Sequence, residues 1–436
     1  MERVLVPILA AIGLAVVGVL ITFLVQELIE KRRRAAEADL SEQKINISHQ
    51  GIRYDALRQF YSRARLHESG LGLYALSVDG EIVVSPTATK NEWLGLAIDA
   101  SNVECRRQPK PLWVPPPAFD AVPRDYRNHL LAKLERSGAV LFDDPIYRLV
   151  ELKIEQDRIA AEFSVDRFFN YRKVSGLVIE ELEETLVRNK VGLANDLATL
   201  RSRLGSAMKQ VPLRESLLPG GRELIDFANR MPQGGVCVML AIARPSPDDD
   251  YMIPIMRRTG RTAIAQEDLT LTPQGMHAPR LNREHEVGLR ESVLRELWEE
   301  VFGVEEAERG ERGAIDAESH PPIRWLLDHP EQITFEFVSF VVNLHQGNYE
   351  FGVLLAVHDP AYFALFSEYE DPNWETTLFH RLSSKRPDEI SQILRRKDWT
   401  PEARLVLAEG LTRLDSVQTS MATPRVLLPA IESSVV

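Results

Sequence analysis

Cysteine is nearly absent. Two thiols, Cys105 and Cys237, are spread over 436 residues, too few for a disulfide framework and in keeping with a reducing compartment. Neither has a nearby His or a second Cys at metal spacing, so both read as packed thiols. An excess of positive charge is missing too: 64 acidic against 52 basic residues leave a net charge of -12, which argues against nonspecific binding to nucleic acid. There is no internal repeat.

The longest apolar run lies at the start. Residues 4–25 carry no charge, and at ~1.5 Å per residue such a run spans roughly the 30 Å hydrocarbon core of a bilayer. Arg3 is the one basic residue ahead of it and no small-x-small cleavage site precedes Glu27, so a transmembrane helix is favoured over a cleaved signal peptide. The basic cluster Lys31-Arg32-Arg33-Arg34 follows the span and places the bulk of the chain in the cytoplasm. There it fixes topology or touches anionic headgroups. The glycosylation pattern Asn46-Ile47-Ser48 has no meaning on that side.

Beyond the span the chain is long enough for two folded domains. The expected order is a transmembrane helix at 1–28, a basic helical stalk at 29–66, an α+β region at 67–210, a second domain at 211–415 and an unstructured tail at 416–436. Membrane helix and stalk together offer a route to oligomers. The α+β region has a hairpin signal at 72–86 around Val78-Asp79-Gly80, a proline-rich loop at 109–123, strand-like runs at 146–154 and 159–165, and helices at 176–188 and 197–208. Its aromatic residues Tyr147, Phe163, Phe168, Phe169 and Tyr171 read as core rather than as a ligand cage.

The second domain carries the chemistry. Strand, turn and strand are expected at 236–243, 245–250 and 251–257, a further hairpin at 333–342 and 349–358, and a final helix over about 387–414. Between them stands Arg295-Glu296-Leu297-Trp298-Glu299-Glu300-Val301-Phe302-Gly303-Val304. On a helix Leu289, Val293, Leu297 and Val301, with Leu294, make an apolar stripe. Ser292, Glu296 and Glu300 share one flank, and Glu291, Arg295 and Glu299 the next. Three carboxylates so grouped suit a hard cation such as Mg2+ or Mn2+. The plainer reading pairs Arg295 with Glu291 and Glu299 on a solvated face.

This string resembles the Nudix box, in which a Gly, five residues, a Glu and seven residues lead to Arg-Glu, an aliphatic residue, any residue, Glu-Glu, any residue, Gly and an aliphatic residue. Gly275 matches the opening Gly. The chain departs from the pattern in three places: extra residues in the loop 276–284, Val287 at the first Glu with Glu284 or Glu286 as stand-ins, and Phe302 inserted before Gly303. The resemblance covers about 231–415 and implies an α/β fold, a Nudix-like α/β/α sandwich with a mixed sheet. The activity implied is hydrolysis of a diphosphate linkage in a nucleoside diphosphate joined to another group, with Mg2+ (or Mn2+).

Carried over residue by residue, Glu299 and Glu300 are metal ligands, Glu296 a ligand or general base, Arg295 an orienting residue and the Gly275 carbonyl a further ligand. A Glu outside the box often assists in this family, and Glu350, Glu368 and Glu375 are the candidates, Glu375 also as a substrate contact. The loop residues His277 and Arg280 are substrate-binding candidates, with an ordinary surface loop as the alternative. A second function fits the same order of segments: a membrane-associated sensor or effector whose Nudix fold binds a nucleotide-derived signal without efficient hydrolysis. A third is a membrane-anchored scaffold whose acidic helix is merely solvated.

Overall fold

Thirteen strands form within the described residues of this computed structural model, which are 51–110, 113–135, 143–245, 250–259, 268–279, 287–303, 320–367 and 376–417. In chain order they are β1 (Gly72–Val78), β2 (Glu81–Thr89), β3 (Leu94–Asp99), β4 (Val103–Arg107), β5 (Pro145–Ile154), β6 (Ile159–Arg167), β7 (Gly234–Ala243), β8 (Tyr251–Arg258), β9 (Leu269–Leu271), β10 (Gln274–Met276), β11 (Ile333–Asn343), β12 (Tyr349–Val357) and β13 (Thr376–Ser383). A ten-stranded mixed sheet runs β1-β2-β11-β12-β7-β8-β13, with β3 also on β11, β10 on β7 and β9 on β8. A second sheet has the order β4-β6-β5.

At the centre β12 lies parallel to β7, with Tyr349 opposite Gly234 and Val357 opposite Ile242. Both strands are buried along their whole length, which explains why they read as continuous apolar runs and not as alternating ones. Alternation sorts their side chains into two cores. Val236, Val238, Leu240 and Ile242 meet Leu289, Val293 and Leu297 on one face, while Cys237, Met239 and Ala241 meet Val406 and Leu407 on the other.

The hairpin expected at 72–86 forms, and Asp79 and Gly80 turn it with φ of 49° and 83°, the positive pair that suits the twist of a two-residue connection. The hairpin of β11 and β12 forms as well. Three expectations are corrected. The final helix is two, Pro387–Arg395 and Pro401–Val417, because Pro401 has no N–H to continue a helix and biases the residue before it away from helical dihedrals. Trp399 fills the break, fully buried, with its indole N–H on the Ile393 carbonyl at 2.8 Å.

The stalk expected at 29–66 ends early, since the helix Ile52–Phe60 buries Ile52, Ala56, Leu57 and Phe60 in the folded body. Its Arg53 and Tyr54 both donate to Asp268, just ahead of β9. Nor does the boundary at 210 coincide with a break in the sheet. Ala88 of β2 pairs with Val342 and Asp99 of β3 with Glu336, so β2 and β3 together cover the free hydrogen-bonding edge of β11. The span 4–25, the basic cluster 31–34 and the tail from 418 lie outside the described residues. Among the described residues no helix is long and apolar enough to cross a membrane.

One buried acid makes the packing of Pro401–Val417 pH-sensitive. Glu409 accepts the Gly95 N–H at 2.9 Å and the Tyr74 hydroxyl at 3.2 Å. Burial pushes its carboxyl up to about 7, outweighing those two bonds. A carboxyl raised in the folded state stabilises the fold below its unfolded pKa and loses that contribution as pH climbs through the folded value. Between about pH 4.5 and 7.5 wild type should therefore lose roughly 3 kcal/mol relative to Glu409→Gln, measured by urea unfolding. A difference that stays constant with pH contradicts this.

Candidate functional site

The helix Leu289–Glu296 runs on through a π turn, Leu297–Val301. Such a turn bonds i to i+5 instead of i+4 and so absorbs one added residue. Phe302 follows the turn as its C-terminal cap and is buried. The apolar stripe Leu289, Val293, Leu294, Leu297 and Val301 is buried, as its spacing requires. The two polar flanks also separate: Ser292, Glu296 and Glu300 are buried, whereas Glu291, Arg295 and Glu299 are half-buried.

Glu296 reaches β10 through a missing side chain. A methyl group on Gly275 would overlap the Glu296 carboxylate, so only glycine lets the helix and the strand approach this closely. Arg295 orients that carboxylate, donating from Nη2 to Glu296 Oε1 at 2.6 Å and to the Met276 carbonyl at 2.7 Å. Burial opposes the guanidinium charge, but Glu296 and Glu299 more than offset it and hold the pKa above its usual value. Glu300 takes the other side of the same bend, accepting the Gln274 N–H at 2.7 Å and the Thr272 hydroxyl at 3.3 Å. The Gly275 carbonyl lies over β7, where a Cβ on Gly235 would overlap it.

Two further glutamates approach from the sheet and from the opposite helix. Glu350 stands beside Gly235 on β12, and among the described residues its buried Oε2 has no hydrogen-bond partner. Burial pushes its carboxyl well above the usual range. The charges of Glu402 and Glu296 act in the same direction, and Arg258 opposes them. Glu402, in the first turn of Pro401–Val417, accepts Gln274 Nε2 at 2.6 Å and Asn343 Nδ2 at 2.7 Å, and burial raises it as well. Cys237 lies near these acids. Burial and then the charges of Glu402, Glu350 and Glu300 keep it a thiol, which rules it out as a nucleophile.

Glu296, Glu300, Glu350 and Glu402 are thus gathered around the bend 272–276 from three different elements. Among the described residues, however, no three His, Cys, Asp or Glu side chains come together in a group able to hold a metal ion. Glu296 is turned toward Arg295 and Glu300 toward the Gln274 N–H, while Glu299 remains half-buried on the neighbouring flank.

His277 is corrected from a loop residue to a core residue. Its ring centroid lies 4.5 Å from that of Tyr147 and 4.4 Å from that of Phe163, its Nε2 is 3.0 Å from the Val287 carbonyl, and its N–H continues the β7 pairing through the Gly234 carbonyl. Burial lowers its pKa to about 3, so it stays neutral in the core. Val287, at the position of the first box Glu, is buried beside it. Arg280, Glu284, Glu286, Glu368 and Glu375 lie outside the described residues. Glu402 was missed because the single helix expected over about 387–414 makes it one acid among several along a helix. Gln274 and Asn343, which hold it, carry no motif.

Gly275→Ala is expected to displace the Glu296 carboxylate and destabilise the fold by about 1–3 kcal/mol, read by urea unfolding. Unchanged stability contradicts the placement of Glu296. No protein-family model matches this chain, and no curated protein matches it either.

Proposed function

We propose that the chain is a membrane-anchored pyrophosphohydrolase of the Nudix type, cleaving a diphosphate linkage in a nucleoside diphosphate joined to another group. The observation that carries this reading is the seating of Glu296 against Gly275, with Arg295 and Glu300 gripping the same bend. That contact joins the two ends of the resemblance, the opening glycine and the Arg-Glu pair, although the residues between them depart from the pattern. The helices on both faces of β7 and β12 agree with a Nudix-like α/β/α sandwich.

The donor set fits Mg2+ or Mn2+: every candidate ligand is an oxygen, on Glu296, Glu299, Glu300 or the Gly275 carbonyl. Beside this set, the buried Glu350 carboxyl has an oxygen without a hydrogen bond among the described residues. When bound, the cation neutralises the diphosphate and lowers the pKa of water. The protein's own groups do the positioning. Arg295 fixes the rotamer of Glu296, the Gln274 N–H fixes Glu300, and the apolar stripe beneath sets the height of both above the sheet. Glu350, raised by burial, holds its proton at a pH where an exposed glutamate has lost it. The charge-free run at 4–25 supplies the anchor, and the basic cluster after it leaves the site in the cytoplasm.

The sensor reading is favoured by a different observation. The box carboxylates are engaged with Arg295 and Gln274 and do not converge, an arrangement a binding domain tolerates better than a hydrolase. The full chain, assayed against a panel of nucleoside diphosphate derivatives with Mg2+ or Mn2+, separates the two. Turnover that falls roughly 100-fold or more in Glu299→Gln/Glu300→Gln is the expected result. Saturable binding of one compound without turnover favours the sensor. Absence of both, with no saturable metal binding, favours the scaffold.

A further inference from the structure

Next to the acidic bend lies a second cluster that the metal site does not use. Ile146, Phe168, Tyr171 and Met231 pack together, with half-buried Trp113 and Met276 against them. Met276 follows Gly275 directly, so the cluster adjoins the acids through β10. Three carboxamides border it. Asn348 Nδ2 donates to the Tyr171 hydroxyl at 2.9 Å, and that hydroxyl donates to Gln346 Oε1 at 3.2 Å. Gln233 Nε2 meets the Met276 sulfur.

The acceptor ends of two of these amides are left over. Gln233 is 0% and Asn348 5% exposed, yet among the described residues Gln233 Oε1 and Asn348 Oδ1 have no hydrogen-bond partner. Turning the Asn348 amide would exchange an unpartnered acceptor for an unpartnered donor, and turning that of Gln233 would set its oxygen against the Met276 sulfur, which has no proton to donate. Buried polar atoms are normally satisfied, and here two unpartnered acceptors border the same aromatic cluster.

We propose that this cluster is the subsite for the nucleobase of the ligand, with preference for a base that carries an exocyclic amino group. The proposal rests on the reading of the acidic bend as the diphosphate end. Aromatic and thioether side chains suit the face of a planar ring, and the two amide oxygens call for N–H donors. Adenine, cytosine and guanine offer an amino group; uracil offers a single ring N–H. Asn348 immediately precedes β12 and lies two residues before Glu350, at most about 7 Å of chain, so one ligand can span both. Trp113 borders the cluster, held by its N–H on Asp166 Oδ2 at 2.8 Å and its indole N–H on the Asn229 carbonyl at 3.1 Å.

The test titrates the full chain with AMP, GMP, CMP and UMP in EDTA by calorimetry, beside Gln233→Met and Asn348→Leu. At least one amino-bearing nucleotide should bind about tenfold or more tightly than UMP, and each variant should lose most of that preference. Gln233→Met removes a buried atom without a partner, so its melting temperature should hold or rise while nucleotide affinity falls. A purely structural glutamine would not couple those two changes. UMP binding as tightly as the best of the others, unchanged preference in both variants, or no nucleotide binding at all would overturn the subsite. Mn2+ titration of the same samples reports the acidic bend separately. Failure there with the base preference intact strikes the hydrolase reading and leaves the subsite standing.

Discussion

A helix carboxylate rests against a backbone carbon that has no side chain, and much of the local architecture follows from that contact. For Glu296 to reach Gly275, the helix Leu289–Glu296 must lie close over β10, which its apolar stripe permits by burying Val293 and Leu297 against the sheet. For β10 to lie close to β7, Gly235 must be bare where the Gly275 carbonyl crosses it. Two glycines on adjacent strands therefore serve one purpose, the approach of backbone and carboxylate at the end of the sheet.

The acids are then held in an environment that disfavours their charge. Glu350 and Glu402 come from the opposite side of the sheet, and burial raises both. Arg258 and Arg295 counter the negative charge only in part, since Arg295 is committed to Glu296 and the Met276 carbonyl. A gathering of carboxylates in a low-dielectric setting is unfavourable for folding alone. Under the proposed function that cost belongs to a site acting on a charged ligand, since perturbed carboxyl groups are frequent at such sites.

Periodicity made the central elements legible. Two apolar runs announced β7 and β12, the Asp79-Gly80 pair announced the first turn, and four-residue apolar spacing announced the helix that carries Glu296. What could not be read depended on contacts distant in sequence. Glu402 acquires its place from Gln274 and Asn343, each more than fifty residues away. His277 looked like a loop residue because the strand pairing that buries it begins at Gly234. The edge of β11 gives no local sign that strands from the first third of the chain will cover it. The split of the last helix was available from Pro401, and apolar periodicity outweighed it. The π turn at Leu297–Val301 was not legible either, because such a turn has no sequence signature as plain as that of a cap.

Whether the acids around Gly275 serve a cation is decided by locating one. Crystals of the full chain grown with Mn2+, with data collected at the manganese edge, would do so. An anomalous peak bounded by Glu296, Glu300 and the Gly275 carbonyl is the expected result. Saturating Mn2+ with no peak at the bend 272–276, or with the ion bound only elsewhere, would contradict the assignment of this bend as the metal-dependent site.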